Sequence, residues 1–346
     1  MGDYAYLLAC KLRFAYDIHT RFLVGDPSEE RATQLNGFGV DCITVQQSTD
    51  LDRQLGASRM PSIVLLHYVG YGYQQRGCPT WLVKGLESWK KRDGNRRLVV
   101  MFHELYALGP PWRSSFWTSW IQRRLVTSLA RIGDHCITNR NESMRELIRL
   151  AGCAKQKLSV LPVFSNVGEP KFLPGLAARK PRMVVFGSAA WRRQAYYEHR
   201  RNLEAACQKL GIEEIVDIGV PVDHIPELTV PCVSKGILPA HALSYELLNA
   251  SAGFFTYPAA YLGKSTIFAA YAAHGLAPVT YADNLSLNQD GLVPDEHFIS
   301  VALSKGNESK NVERVARAAN RWYAEHTVSE HALRYSNFVR ETLEAT

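Results

Sequence analysis

Short apolar runs rich in valine, isoleucine and leucine recur along this chain, and between them the hydrophobic positions fall at helical spacing. That alternation predicts parallel β-α units rather than hairpins. In the first half, strands are expected at Arg21–Val24, Cys42–Val45, Ser62–His67, Leu98–Phe102, His135–Thr138 and Leu158–Leu161. Helices are expected at Tyr4–Tyr16, Pro79–Lys91, Ser114–Ile132 and Glu142–Ala151. Pro79 suits a first helical turn, and Trp117, Ile121, Leu125 and Leu129 repeat every four residues, which predicts one buried face.

The pattern breaks at PVFSNVGEPKFLPGLAARKPR, whose Pro, Gly and polar residues read as a connection between domains. The second half restarts with strand-like Met183–Phe186, Ile215–Ile218, Gly253–Thr256 and Ala277–Thr280. Helical patterns near Arg193–Leu210, Ala240–Asn249 and Ser265–His274 separate them, and Asn311–Glu325 and Glu330–Glu344 follow. The expected architecture is α/β, with two Rossmann-like lobes of parallel sheet, 1–165 and 166–325, facing each other across a cleft. A C-terminal helix, 326–346, packs back toward the first lobe. A Rossmann-like unit opens on a strand, yet this chain opens on helical GDYAYLLACKL, so the first strand of lobe one is expected to be missing.

Composition narrows the class. The chain has 346 residues of which 46% are hydrophobic, enough for two cores. Its seven cysteines lie apart, with no C-x-x-C pair, which points to a reducing, cytoplasmic setting without structural zinc. The N-terminus lacks the features of a secretory signal, and no apolar run reaches the roughly 20 residues a bilayer span needs. Charge is uneven: residues 1–165 hold 22 Lys+Arg against 14 Asp+Glu, whereas 166–346 hold 18 against 19. The basic half fits an anionic partner, such as a phospholipid surface or a phosphorylated acceptor, in preference to nucleic acid; a merely solvating surface is the alternative.

Ligands of open α/β sheets bind outside the carboxyl ends of the strands. In RLVVMFHELYALGPPW a strand runs into His103 and Glu104, where a histidine can hydrogen-bond a sugar or move a proton; a structural histidine is the other reading. In IVLLHYVGYGYQQRGCP, Tyr71, Gly72, Tyr73 and Arg76 form a loop able to stack on a sugar ring and clamp an anion, or a plain Gly-rich turn. In MVVFGSAAWRRQAYYEHRR, Gly187 and Ser188 end a strand, and Arg192, Arg193, Arg200 and Arg201 follow, as suits a diphosphate or a solvated helix face. Lys264, Ser265 and Thr266 imitate the end of a phosphate-binding G-x-x-x-x-G-K-[ST] loop, but Pro258 stands where its first glycine is required. What survives is a helix N-terminus with a lysine and two hydroxyls, suited to an anion. Finally, PPWRSSFWTSWIQRRLVTSLAR combines Trp112, Phe116, Trp117 and Trp120 with Arg113, Arg123 and Arg124. It reads either as an interfacial helix on the cytoplasmic face of a membrane or as aromatics buried against strands.

Taken in order, GDYAYLLACKL, VVMFHELYALGPPWRSSFW, LPVFSNVGEP, VVFGS and GKSTIFAAYAAHGLAPV resemble the GT-B-fold glycosyltransferases, in particular the retaining group 1 or family 4-like enzymes. The resemblance implies an acceptor-binding N-lobe and a C-lobe holding a nucleotide-diphosphate sugar. His103 would touch the transferred sugar, Gly187 and Ser188 the diphosphate, and Arg192 or Arg193 the leaving phosphate. It implies no cofactor and no metal, and a saccharide, lipid-linked or small-molecule acceptor. One feature departs from the family: aligning Gly275 and Pro278 puts Leu262 and Ala270 where the two glutamates of Glu-x7-Glu belong. The Lys264–Thr266 cluster is expected to replace those carboxylate contacts by direct phosphate contacts. A non-catalytic scaffold and a nucleotide-sugar epimerase or hydrolase of the same fold are the alternatives.

Overall fold

The structure is a computed structural model and describes residues 2–24, 37–42, 47–56, 63–107, 109–110, 112, 114–152, 154–281, 290–301 and 312–344. The chain divides into two compact units, one formed by Met1–Leu161 with Ser329–Thr346, the other by Pro162–Val328.

In the first unit, helix α1 (Gly2–Tyr16) precedes a parallel pair, β1 (Arg21–Val24) and β2 (Gly39–Cys42). Helix α2 (Ser48–Gly56) leads to a separate four-stranded parallel sheet of β3 (Ile63–Tyr68), β4 (Arg97–Phe102), β5 (His135–Thr138) and β6 (Leu158–Val160), ordered β3-β4-β5-β6. Helices α3 (Thr80–Lys91), α4 (Ser114–Ile132) and α5 (Asn141–Ala151) connect its strands. Leu66, Tyr68, Leu98, Val100 and Phe102 share one sheet face with Trp81, Leu82, Leu86 and Trp89 of α3 and Val126 and Leu129 of α4. The C-terminal helix, labelled last below, also belongs here through Ser329 onward.

The second unit holds a six-stranded parallel sheet, ordered β12-β11-β10-β7-β8-β9. Its strands are β7 (Lys180–Phe186), β8 (Glu214–Ile218), β9 (Cys232–Ser234), β10 (Ala250–Phe255), β11 (Ala277–Thr280) and β12 (Ile299–Ser300). Helices α6 (Arg200–Leu210), α7 (Ala240–Leu248), α8 (Thr266–Ala273) and α9 (Val312–Ala324) cover the faces. The period of two is visible in β7, where Met183 and Val185 enter one core and Val184 and Phe186 the other. The last helix, α10 (Val328–Glu344), belongs from Ser329 onward to the first unit, where Phe338 stacks on His135 at 3.8 Å and Arg340 Cζ lies 5.8 Å from the Tyr16 ring.

Three sequence expectations shift. The second strand runs from Gly39 to Cys42, whereas 43–45 of the predicted Cys42–Val45, together with Ser62, Arg113 and Asn311, lie outside the described residues. The single helix expected over Arg193–Leu210 is broken: helical turns at Ala189–Arg193 and a wider turn at Gln194–Glu198 precede α6, with His199 at φ −111° and ψ 20° between them. In α4, Leu125 and Leu129 are buried but Trp117 is 67% exposed. A four-residue repeat drifts by about 40° per step around a 3.6-residue helix, so Trp117 has left the face that Leu129 occupies.

Candidate functional site

The carboxyl ends of β3 and β4 lie side by side, with Tyr68 opposite Phe102 and the amide of His103 donating to the Tyr68 carbonyl at 3.1 Å. Adjacent parallel strands therefore bring His67 and His103 together, Nδ1 of the first 3.2 Å from Nε2 of the second. Burial holds the His67 imidazole down, from the usual 6.5 to about 4, so it is neutral at physiological pH. Tyr4 of α1 sets its ring edge-on to both, with centroids 5.4 and 5.1 Å away, and its hydroxyl meets Nδ1 of buried His331 at 2.7 Å. His103 thus stands half-buried at the strand tip with one ring nitrogen committed to His67, and Glu104 beside it is exposed.

The segment after β3 is not an open loop. Gly70–Tyr73 forms one helical turn and Gln75–Gly77 a second, tighter one, with Arg76 at φ 74° and Gly77 at φ 71°. Gly70 is required there, because a Cβ would lie 2.7 Å from the Gly77 carbonyl oxygen. Buried Gln122 of α4 organises this segment. Its Nε2 donates to the Arg76 carbonyl at 2.9 Å, to Thr118 Oγ1 at 3.2 Å and to the Tyr71 hydroxyl at 3.3 Å, and its Oε1 accepts from the Ala107 amide at 2.8 Å. Tyr71, Gly72 and Arg76 are exposed. Tyr73 departs from expectation: its hydroxyl donates to the His67 carbonyl at 2.9 Å and serves the strand tip instead.

In the second unit, β7 ends at Gly187 with φ 123°, and a Cβ there would lie 2.6 Å from Ile267 Cδ1 in the first turn of α8. The fold therefore brings the Gly187–Ser188 tip against the Lys264–Thr266 helix start. Ser188 and Thr266 are exposed and Lys264 is half-buried, its Nζ 6.0 Å from the Tyr261 ring. Ser265 is buried and accepts from the Phe268 amide at 3.2 Å, so its hydroxyl caps α8.

The two arginines separate. Arg192 is fully buried, and Nη1 donates to both carboxylate oxygens of buried Asp217 at 2.7 Å. Its Nε donates to the Gly187 carbonyl at 3.2 Å and Nη2 to the Val220 carbonyl. The Tyr196 hydroxyl at 2.7 Å and the Ser234 hydroxyl at 3.2 Å complete the shell around Asp217. A guanidinium so committed does not face a diphosphate, which corrects the sequence expectation for Arg192. Arg193 is exposed and pairs with exposed Asp223 at 3.0 Å. Leu262 and Ala270 are buried in the apolar core of this unit. Among the described residues, no three His, Cys, Asp or Glu side chains group as a metal site, and no helix is long and apolar enough to cross a membrane.

His67, Gln122 and Asp217 were missed by the sequence reading. Each carried a signal, namely one polar residue inside an apolar strand (IVLLHY, EIVDI) or on the buried stripe of a helix.

No protein-family profile matches the chain, and no curated protein matches it in sequence. Solved structures do. The chain is similar to HepE from Anabaena, solved with UDP and glucose, at 13% identity and a TM-score of 0.56, covering 100% of this chain and 96% of that one. It is similar to a glycosyltransferase from Rickettsia africae at 9% identity and a TM-score of 0.67, covering 99% and 95%. A protein assigned as a UDP-N-acetylglucosamine 2-epimerase from Listeria monocytogenes is similar at 12% identity and a TM-score of 0.57, covering 100% and 94%. The likeness is one of fold. The chain has the GT-B fold, built from two Rossmann-like units of parallel sheet.

Proposed function

We propose that this chain is a glycosyltransferase that moves a hexose-type sugar from a nucleotide-diphosphate sugar to a saccharide, lipid-linked or small-molecule acceptor, with retention and without a resident metal or cofactor. The observation that carries the reading is the meeting of Gly187 with the first turn of α8. A strand tip with no side chain lies beside a helix N-terminus, whose first amides have no intrahelical partner, and Lys264, Thr266 and Ser188 add a cation and two hydroxyls to that neighbourhood. That chemistry suits a diphosphate. Structures of the same fold that hold UDP agree with it.

Departure of a nucleoside diphosphate builds negative charge on the phosphate and positive charge on the anomeric carbon, so donors aimed at the phosphate lower the barrier most. Lys264 and Arg193 are assigned that role, and the helix amides supply the rest. His103 is assigned the sugar contact, and Tyr71, Gly72 and Arg76 the acceptor side. Glu104 is the base of the inverting alternative. Lys264→Ala is expected to lower kcat/KM about a hundredfold with an unchanged Tm, and Arg193→Ala to weaken donor binding with little effect on folding. Full activity in both variants would remove the phosphate assignment.

A second reading, a non-catalytic binder of nucleotide sugars, is favoured by the apolar, buried Leu262 and Ala270. Turnover separates the readings: a transferase consumes the donor when an acceptor is present, a binder retains it intact with any acceptor, and an epimerase or hydrolase consumes it with none.

A further inference from the structure

Helix α4 carries two apolar faces, one buried and the other largely exposed to solvent. Gln122, Leu125, Val126, Leu129 and Ala130 are buried in the first unit. On the opposite side, Phe116, Trp117 and Trp120 are 43, 67 and 55% exposed, Trp112 just before the helix is 84% exposed, and Arg124 follows in the same stripe. Positions 116, 120 and 124 are one turn apart and Trp117 lies beside them, so the aromatics share one outward arc. This exposure excludes the reading in which the tryptophans pack against strands.

A helix face meant for water carries Glu, Lys, Gln or Ser. Here it carries two indoles and a phenyl ring, with Arg124 Cζ 5.0 Å over the Trp120 ring and Arg123 Cζ 4.6 Å over Tyr106. No acidic residue occurs from Leu105 to Gly133, a stretch that holds four arginines, and residues 1–165 as a whole are net basic, 22 against 14. Tryptophan settles at the headgroup level, where its ring is apolar on its faces and polar at its N–H, and arginine pairs with phosphate. A protein partner could use the same aromatics, but it would bring its own pattern of hydrogen bonds and charges to match. A stripe of aromatic and cationic groups in a half of the chain that is net basic matches a fluid anionic surface.

From this exposure and charge we infer that the N-terminal half of α4, through Trp112, Phe116, Trp117, Trp120 and Arg124, docks the protein on an anionic phospholipid surface. This inference does not depend on the glycosyl-transfer reading.

The test is flotation of the full chain with vesicles of phosphatidylcholine alone or of equal parts phosphatidylcholine and phosphatidylglycerol, with tryptophan quenching by brominated lipid as a second readout. The wild type is expected to float with the anionic vesicles only, and high salt to release it. Trp117→Ser with Trp120→Ser is expected to weaken binding by roughly tenfold or more. Arg124→Glu, at an exposed site and therefore safe for folding, is expected to weaken it about fivefold or more. Absence of the wild type from the anionic vesicles, equal flotation on both lipids, or unchanged flotation of both variants would overturn the proposal. So would a concentration-dependent dimer that the tryptophan variant abolishes while no protein floats, because the face would then belong to a second copy.

Discussion

At the scale of single residues, the ion pair of Arg192 and Asp217 shows how the second unit aims its strand tip. One guanidinium ties the Gly187 carbonyl at the end of β7 to Asp217 in β8 and to the Val220 carbonyl beyond it. Both charges are removed from water, and each is held by further hydrogen bonds, so the pair positions backbone rather than adding much net stability. Removing one partner is another matter. Arg192→Met leaves Asp217 buried without its cation and is expected to lower unfolding free energy by about 3–5 kcal/mol in chemical denaturation, whereas Arg193→Met should change it by less than about 0.5 kcal/mol. Equal stability of the two variants would contradict the assignment. Two adjacent arginines are indistinguishable in the sequence; the distinction lay in Asp217, a carboxylate inside the apolar strand EIVDI that needed a cation within reach.

At the scale of elements, buried histidines couple the strand tips and helix ends to pH. His67 is held at about 4 by burial. His274 ends α8; its Nδ1 donates to the Ala270 carbonyl at 2.8 Å, and its Nε2 accepts from the Ser244 hydroxyl at 2.8 Å. Burial, with the charge of Arg179 nearby, also holds it at about 4, against the Ala270 bond, which favours its protonated form. Unfolded, both rings titrate near 6.5, so between pH 6.5 and 4 the unfolded chain binds more protons than the folded one. The stability they contribute is complete above that window and is lost as the pH falls through it, by up to about 1.4 kcal/mol per pH unit for each ring. Denaturation midpoints at pH 7 and pH 5 are expected to differ accordingly, and His274→Gln is expected to flatten the slope. An unchanged slope in that variant would show that His274 is not among the groups responsible. Ser114–Ile132, a helix of 19 residues, was legible in its periodicity, whereas β9 and β12, strands of three and two residues, were not.

At the scale of the whole molecule, one restart of the β-α pattern after a Pro- and Gly-rich connection already implied two Rossmann-like units. Each unit has its own parallel sheet and core. The candidate site was legible only in part. His103 and the Gly187 tip follow from their places at strand ends, whereas the roles of Tyr73 and Ser265 depended on which neighbours the fold gave them: a strand carbonyl for one hydroxyl and a helix amide for the other. The central claim is that Gly187, Ser188 and the start of α8 seat the diphosphate of an activated sugar. It is tested most directly by titration calorimetry of the purified chain with UDP-, GDP- and ADP-sugars, with Lys264→Ala alongside. The account predicts that at least one of these donors binds, that its free nucleoside diphosphate competes for the same site, and that Lys264→Ala weakens both. Absence of binding by every donor, or binding that Lys264→Ala leaves unchanged, would contradict it.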